Sequence, residues 1–307
     1  MSKVYVFTEF GGPEAQELID RPEPHPGAGE LAVQVRAAGV NPADWKTRAD
    51  RHGTDQPLPA PMGHELSGVV TAIGADVHDF TVGQEILGLA APGHGAFAEH
   101  TIVRATDAVA KPEEISFADA ATIPVAAAAA YDATHQIELE PGQKLLVIGA
   151  GGGVGLMVAQ IGRVHEFTVI GIASESKRKV VESTGATFVP SGDGVADRAR
   201  QAAPDGVDLI LDLVGGEALR EVADLVADPT RIISAADPAT ATELGGTGLV
   251  RTPQAMAKIT GVIEYDLVDP HISALYPLER AGEAIATVED GHATGKIVLE
   301  MLHAPAS

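Results

Sequence analysis

Leu145-Leu146-Val147-Ile148-Gly149-Ala150-Gly151-Gly152-Gly153-Val154-Gly155 is an apolar run that ends in glycines and opens into a second apolar stretch. A strand, a glycine turn and a helix in that order give glycine a chemical use. It allows the tight turn, lets the backbone approach a pyrophosphate and lets helix and strand pack closely, while the helix N-terminus supplies N–H groups and a positive dipole. Gly152 and Gly155 fall on the second and third positions of the dinucleotide fingerprint, with Ala150 in the first. Gly151, Gly152, Gly153 and Val154 are therefore the expected pyrophosphate contacts.

Beyond this loop the pattern keeps alternating. Strands are expected at Thr168 to Ile172, Phe188-Val189, Val207 to Leu213 and Arg231 to Ser234, with helices at Val154 to His165, Ser176 to Thr184, Val195 to Ala202 and Glu217 to Val226. Repeated strand–helix units imply a parallel, doubly wound sheet. A loop is expected after Pro238 and a helix from Pro253 to about Ile263. The last forty residues read as a strand at Ile272 to Tyr276, a helix at Leu278 to Val288 and a strand at Lys296 to Leu302.

Upstream the texture differs. Short apolar runs at Val4 to Phe7, Leu31 to Ala37, Leu66 to Ile73, Glu85 to Leu89 and Phe97 to Val103 are separated by Gly and Pro and predict a β unit. The segment from Asp44 to Pro61 has no clear period and reads as a loop. Helical texture begins after Ser116, a good N-cap, and continues from Val125 to His135.

The end of the second strand of a dinucleotide unit selects the cofactor: an acid there holds the ribose hydroxyls of NAD, and cations accept the 2′-phosphate of NADP. Here Ala173 and Ser174 are followed by Lys177 and Arg178, which favours NADP. The competing reading makes Glu175 the ribose carboxylate and the basic residues a solvated helix face.

The 307 residues carry 21 Lys+Arg against 43 Asp+Glu, a net charge of −22, which repels nucleic acid and anionic membrane alike. With no cysteine, thiolate chemistry, iron–sulfur clusters and all-Cys zinc sites are excluded. Neither a signal-peptide core nor a membrane-length apolar run is present, so a cytoplasmic protein is expected.

Several ordered motifs join the glycine loop: Phe7-Thr-Glu-Phe-Gly-Gly-Pro-Glu, Asn41-Pro-Ala-Asp44-Trp45-Lys46, Gly63-His64-Glu65-Leu-Ser-Gly68, Gly95-Ala-Phe-Ala-Glu, Asp208-Leu-Ile-Leu-Asp212 and Gly291-His-Ala-Thr-Gly-Lys296-Ile-Val-Leu. Together, end to end, they resemble the zinc-free quinone oxidoreductase branch of the medium-chain dehydrogenase/reductase superfamily. The resemblance implies an α/β fold with two domains. Residues 1–117 with 268–307 would form a GroES-like β domain, residues 118–267 a Rossmann domain, and the active site would lie in the cleft between them.

Zinc-dependent relatives hold their metal on Cys, His and Cys; here Asn41 takes the first Cys position, and only His64 and Glu65 remain in register, so no metal is expected. The resemblance carries Asn41 and Asp44 to the nicotinamide end of the site, although Asn-Pro-x-Asp is also good turn chemistry. His64 reads either as a group that polarises the substrate or relays a proton, or as a structural histidine. Relatives carry a Thr where this chain reads Val125 to Tyr131 and a Tyr where it reads Pro190-Ser191, leaving Ser191 as a partial replacement for the phenol. The segment from Ala235 to Val250 is also unlike theirs. The implied activity is NADPH-dependent hydride transfer to a quinone or an α,β-unsaturated carbonyl. The alternatives are a dedicated reductase of an enoyl or polyketide intermediate, and a cofactor-binding protein without catalysis. A homodimer through the segment near Leu244 to Arg251 is expected by the same resemblance.

Overall fold

Residues 1–49 and 57–301 are described in the computed structural model. Contacts divide the chain into Met1–Val125 with Ile272–Ser307 and, separately, Ala126–His271. Much of the segment expected as a loop between Asp44 and Pro61, residues 50–56, lies outside the described residues, as do residues 302–307.

The first unit is built on a six-stranded sheet in the order Ile272–Pro277, Lys296–Glu300, Glu30–Val40, Glu65–Ile73, Glu85–Ala90, His100–Ala110, and Glu30–Val40 also pairs with His100–Ala110. Neighbours run antiparallel except for the parallel pair Ile272–Pro277 and Lys296–Glu300. Leu31, Val33 and Val35 on one strand meet Leu66, Val70, Ile86 and Phe97 in the core, as the two-residue period of a strand requires. A three-stranded sheet of Gln16–Arg21, Ser2–Phe7 and Ala60–Pro61 packs within the same unit.

Several sequence expectations need correcting here. The strand expected at Phe97 to Val103 begins only at His100. Phe97 is still fully buried, and its backbone bonds to Met62 and Tyr5 outside the ladder. The start of the expected loop at Asp44 is a helix, Pro42–Arg48, too short to show an apolar period but supplied with Pro in its first turn and an Asn cap. Gln16–Arg21 is a further strand, although it carries no unbroken apolar run.

The second unit carries a parallel sheet in the order Thr187–Pro190, Thr168–Ala173, Lys144–Ile148, Leu209–Asp212, Ile232–Ser234, Thr247–Gly248. Numbered along the chain this is 3-2-1-4-5-6, the order of a doubly wound dinucleotide-binding sheet. The central strand Lys144–Ile148 feeds the glycine loop and the helix Gly153–Val164. The segment after Pro238 is not a loop: Pro238–Glu243 forms a helix capped by Asp237, whose side chain accepts from the Thr240 N–H. The helix expected from Glu217 to Val226 ends at Arg220 and continues only as a short turn, Ala223–Leu225. The helix expected from Val125 to His135 is π-helical over Ile123–Ala127 and α-helical over Ala128–His135.

Arg48, at the end of the helix Pro42–Arg48, has no solvent exposure and donates twice to the Glu289 carboxylate at 2.8 Å and once to the Gly11 carbonyl. A guanidinium in that position is tolerable only while paired. We expect Glu289→Gln to lower unfolding free energy by about 3 kcal/mol, the cost of leaving a buried charge uncompensated. Arg48→Met, which removes the buried charge and leaves a partly exposed carboxylate to water, should cost less; denaturant midpoints at constant slope would reveal the order.

Candidate active site

Lys296 is 3% exposed, at the start of a strand whose next three residues are apolar. Its ammonium has three donors to satisfy and finds the Val40 carbonyl at 3.0 Å, Asn41 Oδ1 at 2.8 Å and Glu65 Oε1 at 2.8 Å. The fully buried Glu65 also accepts from Asn41 Nδ2 at 2.8 Å and, through Oε2, from the Val125 N–H at 2.8 Å. Gly39 makes room for this carboxylate, since a Cβ there would strike both Glu65 and the Ala121 carbonyl.

Asn41 connects this ion pair to the next group. Its N–H donates to Asp44 Oδ2 at 2.7 Å across the first turn of the helix Pro42–Arg48. Asp44, 2% exposed, uses its other oxygen to hold His64 Nδ1 at 2.6 Å. The three residues Asn41, Asp44 and His64 are thus brought together, but they do not face the same way. The Asn41 amide is directed inward, with Oδ1 on Lys296 and Nδ2 on Glu65 and the Gly39 carbonyl, so it is occupied by the protein rather than presented as a donor to a substrate. His64 is the exposed member, its side chain 48% accessible.

His64 and Asp44 line a cavity of about 630 Å³, within the range of small-molecule sites, whose walls include Phe7, Pro59, Pro61 and Met62. Arg21 and His94 also border it. The Asp44 hydrogen bond raises the His64 pKa above the ordinary imidazole value, against burial and with help from the charges of Asp44 and Glu65. Burial instead lowers that of His94, with Arg21 adding to the effect. The two imidazoles of one cavity are therefore pushed toward opposite protonation states.

In the second unit, Gly149 takes φ +87°, so the turn falls to it rather than to Ala150. Gly155 packs against the Gly149 carbonyl and Ala150, where a Cβ would not fit. Gly152 caps the helix Gly153–Val164, whose first turn presents N–H groups from Gly153, Val154 and Gly155 that have no intrahelical acceptor. The Lys177 stem lies across Gly151, close enough that a Cβ on that glycine would collide with it, and burial pulls its ammonium below the ordinary lysine value. Ser174 is exposed beside it, with its hydroxyl on Ser176. Arg178 is held elsewhere, bonded to Glu175 and Glu182 and stacked on Phe188 at 4.3 Å. Glu175, the alternative ribose ligand, is thereby tied to a guanidinium. Ser191 is exposed at the end of the third strand, its N–H on the Ala173 carbonyl and its own carbonyl accepting from Arg198.

Residues 27–113 match the alcohol dehydrogenase GroES-like domain and residues 180–299 the zinc-binding dehydrogenase domain. Among relatives, the human synaptic vesicle membrane protein VAT-1 homolog is 28% identical over 96% of this chain and 85% of its own length. The Arabidopsis thaliana chloroplastic NADPH-dependent alkenal/one oxidoreductase is 28% identical over 97% and 79%. The Mus musculus quinone oxidoreductase is 29% identical over 97% of both chains. The solved quinone oxidoreductase from Coxiella burnetii superposes with a TM-score of 0.91 at 28% identity, covering 98% of this chain and 99% of the other. The chain is a quinone-oxidoreductase-like medium-chain dehydrogenase/reductase.

As a member of that superfamily it is an oxidoreductase, and its donor set around position 41 can be compared with what zinc requires. An open catalytic zinc site takes three protein ligands. Asn41 offers a neutral amide oxygen already 2.8 Å from an ammonium, and His64 has one ring nitrogen engaged by Asp44. No group of three His, Asp or Glu side chains able to hold a metal occurs among the described residues. These residues do not fit a zinc ion. The glycine loop, by contrast, fits a dinucleotide pyrophosphate.

Sequence reasoning missed the partnership of Glu65 and Lys296. The available signal was a lysine opening the otherwise apolar Lys296-Ile-Val-Leu run, a charge that burial would force into a pair.

Because the His64 pKa is raised on folding, the ion pair with Asp44 adds stability that is fully present below the unfolded imidazole value near pH ~6.5 and is lost as pH rises through the folded value. Solvent screening at the half-exposed imidazole limits the gain to no more than about 1 kcal/mol. The stability gap between the wild type and His64→Gln should therefore be larger at pH ~6 than at pH ~9, as read from paired urea denaturations.

Proposed function

We propose that this oxidoreductase uses NADPH, without zinc, to reduce a quinone or an α,β-unsaturated carbonyl. The observation that carries the reading is the bond from the buried Lys296 ammonium to Asn41 Oδ1, which commits the side chain at position 41, where the resemblance implies a zinc ligand, to a cation instead. Without a Lewis acid, an unactivated alcohol is a poor substrate and an already electrophilic acceptor is the suited one. The names of the mouse and Arabidopsis relatives support the same substrate classes.

NADPH supplies the hydride when it is bound. Gly151, Gly152, Gly153 and Val154 would hold its pyrophosphate on helix N–H groups, with Ser174 and Lys177 at the 2′-phosphate. Ser191 contributes at the rim. Arg178 is assigned an indirect part, fixing Glu175 away from the ribose by ion pairing. In the first unit, Phe7, Pro61 and Met62 supply an apolar wall for a planar conjugated system. His64 is the group that faces the substrate, Asp44 orients it, and Asn41 positions Asp44.

A homodimer goes with this reading, formed through the open sheet edge at Thr247–Gly248, as does a cytoplasmic location. No described helix is long and apolar enough to cross a membrane.

Calorimetric titration with NADPH and NADH, at one ionic strength, tests the cofactor assignment. NADPH should bind more tightly, and Lys177→Ala should weaken NADPH by about tenfold, the loss of one favourable phosphate contact, while leaving NADH nearly unchanged. Turnover of a quinone should survive dialysis against a chelator. Equal affinity for both cofactors would overturn the NADPH assignment, and chelator-sensitive turnover would overturn zinc independence.

A further inference from the structure

The buried cluster contains one ammonium, Lys296, and two carboxylates, Glu65 and Asp44, all at 3% exposure or less. Charges of that kind are stable in a protein interior only when they balance. Lys296 answers Glu65 at 2.8 Å, which leaves Asp44 with His64 as its ionic partner at 2.6 Å. The cluster is neutral when His64 is an imidazolium and carries an uncompensated negative charge when it is not.

With Nδ1 fixed on Asp44, the second proton of that imidazolium sits on Nε2, which has no hydrogen-bond partner among the described residues. The ring is half exposed and borders the cavity. The groups that set its charge are Asp44 from the helix Pro42–Arg48 and Glu65 from its own strand edge, the latter bonded to Lys296. Arg21 and His94 border the cavity from the strand Gln16–Arg21 and from the loop after Glu85–Ala90.

We propose that His64 is the proton donor of the reduction, and that Asp44, anchored through Asn41 to the Glu65–Lys296 pair, is its positioning residue. The assignment rests on the reductase reading above and adds the fate of the proton. With an enone, hydride arrival makes a C–H bond at the β carbon and moves the π electrons to an enolate. The His64 Nε2–H bond then breaks, and its proton forms the C–H bond at the α carbon. With a quinone, the same proton goes to a ring oxygen. Neutral imidazole is left, and water reprotonates it. The opposite pressure on His94, toward the neutral form, leaves His64 as the acid of this pair of imidazoles.

The experiment is steady-state reduction of an α-substituted enone by NADPH, across pH and in heavy water, for the wild type, His64→Gln and Asp44→Asn. In the wild type kcat should be flat at low pH and fall above the raised His64 pKa, and the product should carry deuterium at the α carbon in one configuration. His64→Gln should lower kcat by about 100-fold, remove the falling limb and scramble that configuration, while NADPH affinity stays unchanged. Asp44→Asn should move the limb to lower pH, and gives a second reading where the His64 variant does not fold. If the wild type turns over and His64→Gln keeps both its pH limb and its stereochemistry, the donor assignment is overturned and the reductase reading stands. If the wild type reduces neither enones nor quinones, both are overturned.

Discussion

An ammonium that has been taken almost completely out of water must be surrounded by acceptors, and Lys296 finds three of them beside its strand. Its three acceptors come from two separate stretches of chain: the Val40 carbonyl and Asn41 amide from one, and the Glu65 carboxylate from the other. Satisfying them fixes the strand Lys296–Glu300 against Glu30–Val40, with Ile297 opposite Val40, and brings the C-terminal segment back to a sheet started more than two hundred residues earlier. Apolar packing of Ile297 and Leu299 supplies much of the adhesion. Buried ion pairs contribute little net stability relative to an apolar substitute, but losing one partner is costly, so they select one arrangement among several apolar alternatives. That specificity role is our hypothesis for this protein. It would fail if a paired Lys296→Met, Glu65→Leu variant kept both its strand register and its His64 titration.

From that anchor the site is assembled outward. Asn41 is held by Lys296 and Glu65 through its side chain and holds Asp44 through its backbone N–H. Asp44 in turn holds His64. Each step uses a short hydrogen bond between atoms of little freedom, so a half-exposed imidazole at the cavity wall inherits its orientation from a lysine at the far end of the sequence. The same chain of contacts accounts for Gly39, where any side chain would displace Glu65.

Those features were unequally legible in the sequence. The doubly wound sheet could be read because its strands are continuous apolar runs, buried on both faces, and because the glycine loop is chemically specific between strand and helix. Ser116 could be read as a cap because capping is local, and its hydroxyl does accept from the Asp119 N–H. Short elements set by tertiary contacts were not legible. Pro42–Arg48 and Pro238–Glu243 carry too few turns for a period, and their caps were recognisable only in hindsight. At the candidate site, Asn41, Asp44 and His64 could be named from their types and motif, but the direction of an amide depends on its partners. Those partners, at positions 65 and 296, lie 24 and 255 residues away. Lys177 and Arg178 make the same point, since neighbouring cations on one short stretch end in different environments, one across Gly151 and one on Glu175 and Phe188.

On the proposed reading, the loss of a metal ligand at position 41 is one part of a coordinated change. Zinc withdraws electrons from an oxygen and needs no proton on its ligands, whereas a metal-free site must stabilise the same developing charge with a hydrogen-bond donor. A lone Asn in place of a ligand would supply neither. Here the Asn41 amide is engaged by a buried cation and its carboxylate, and His64 is paired with an acid that favours its charged form. Restoring a thiolate at position 41 would set it against the Lys296 ammonium and still leave too few ligands. On that reading the electrostatic work of a Lewis acid falls to the His64 imidazolium, which also carries the proton that the reduced substrate needs.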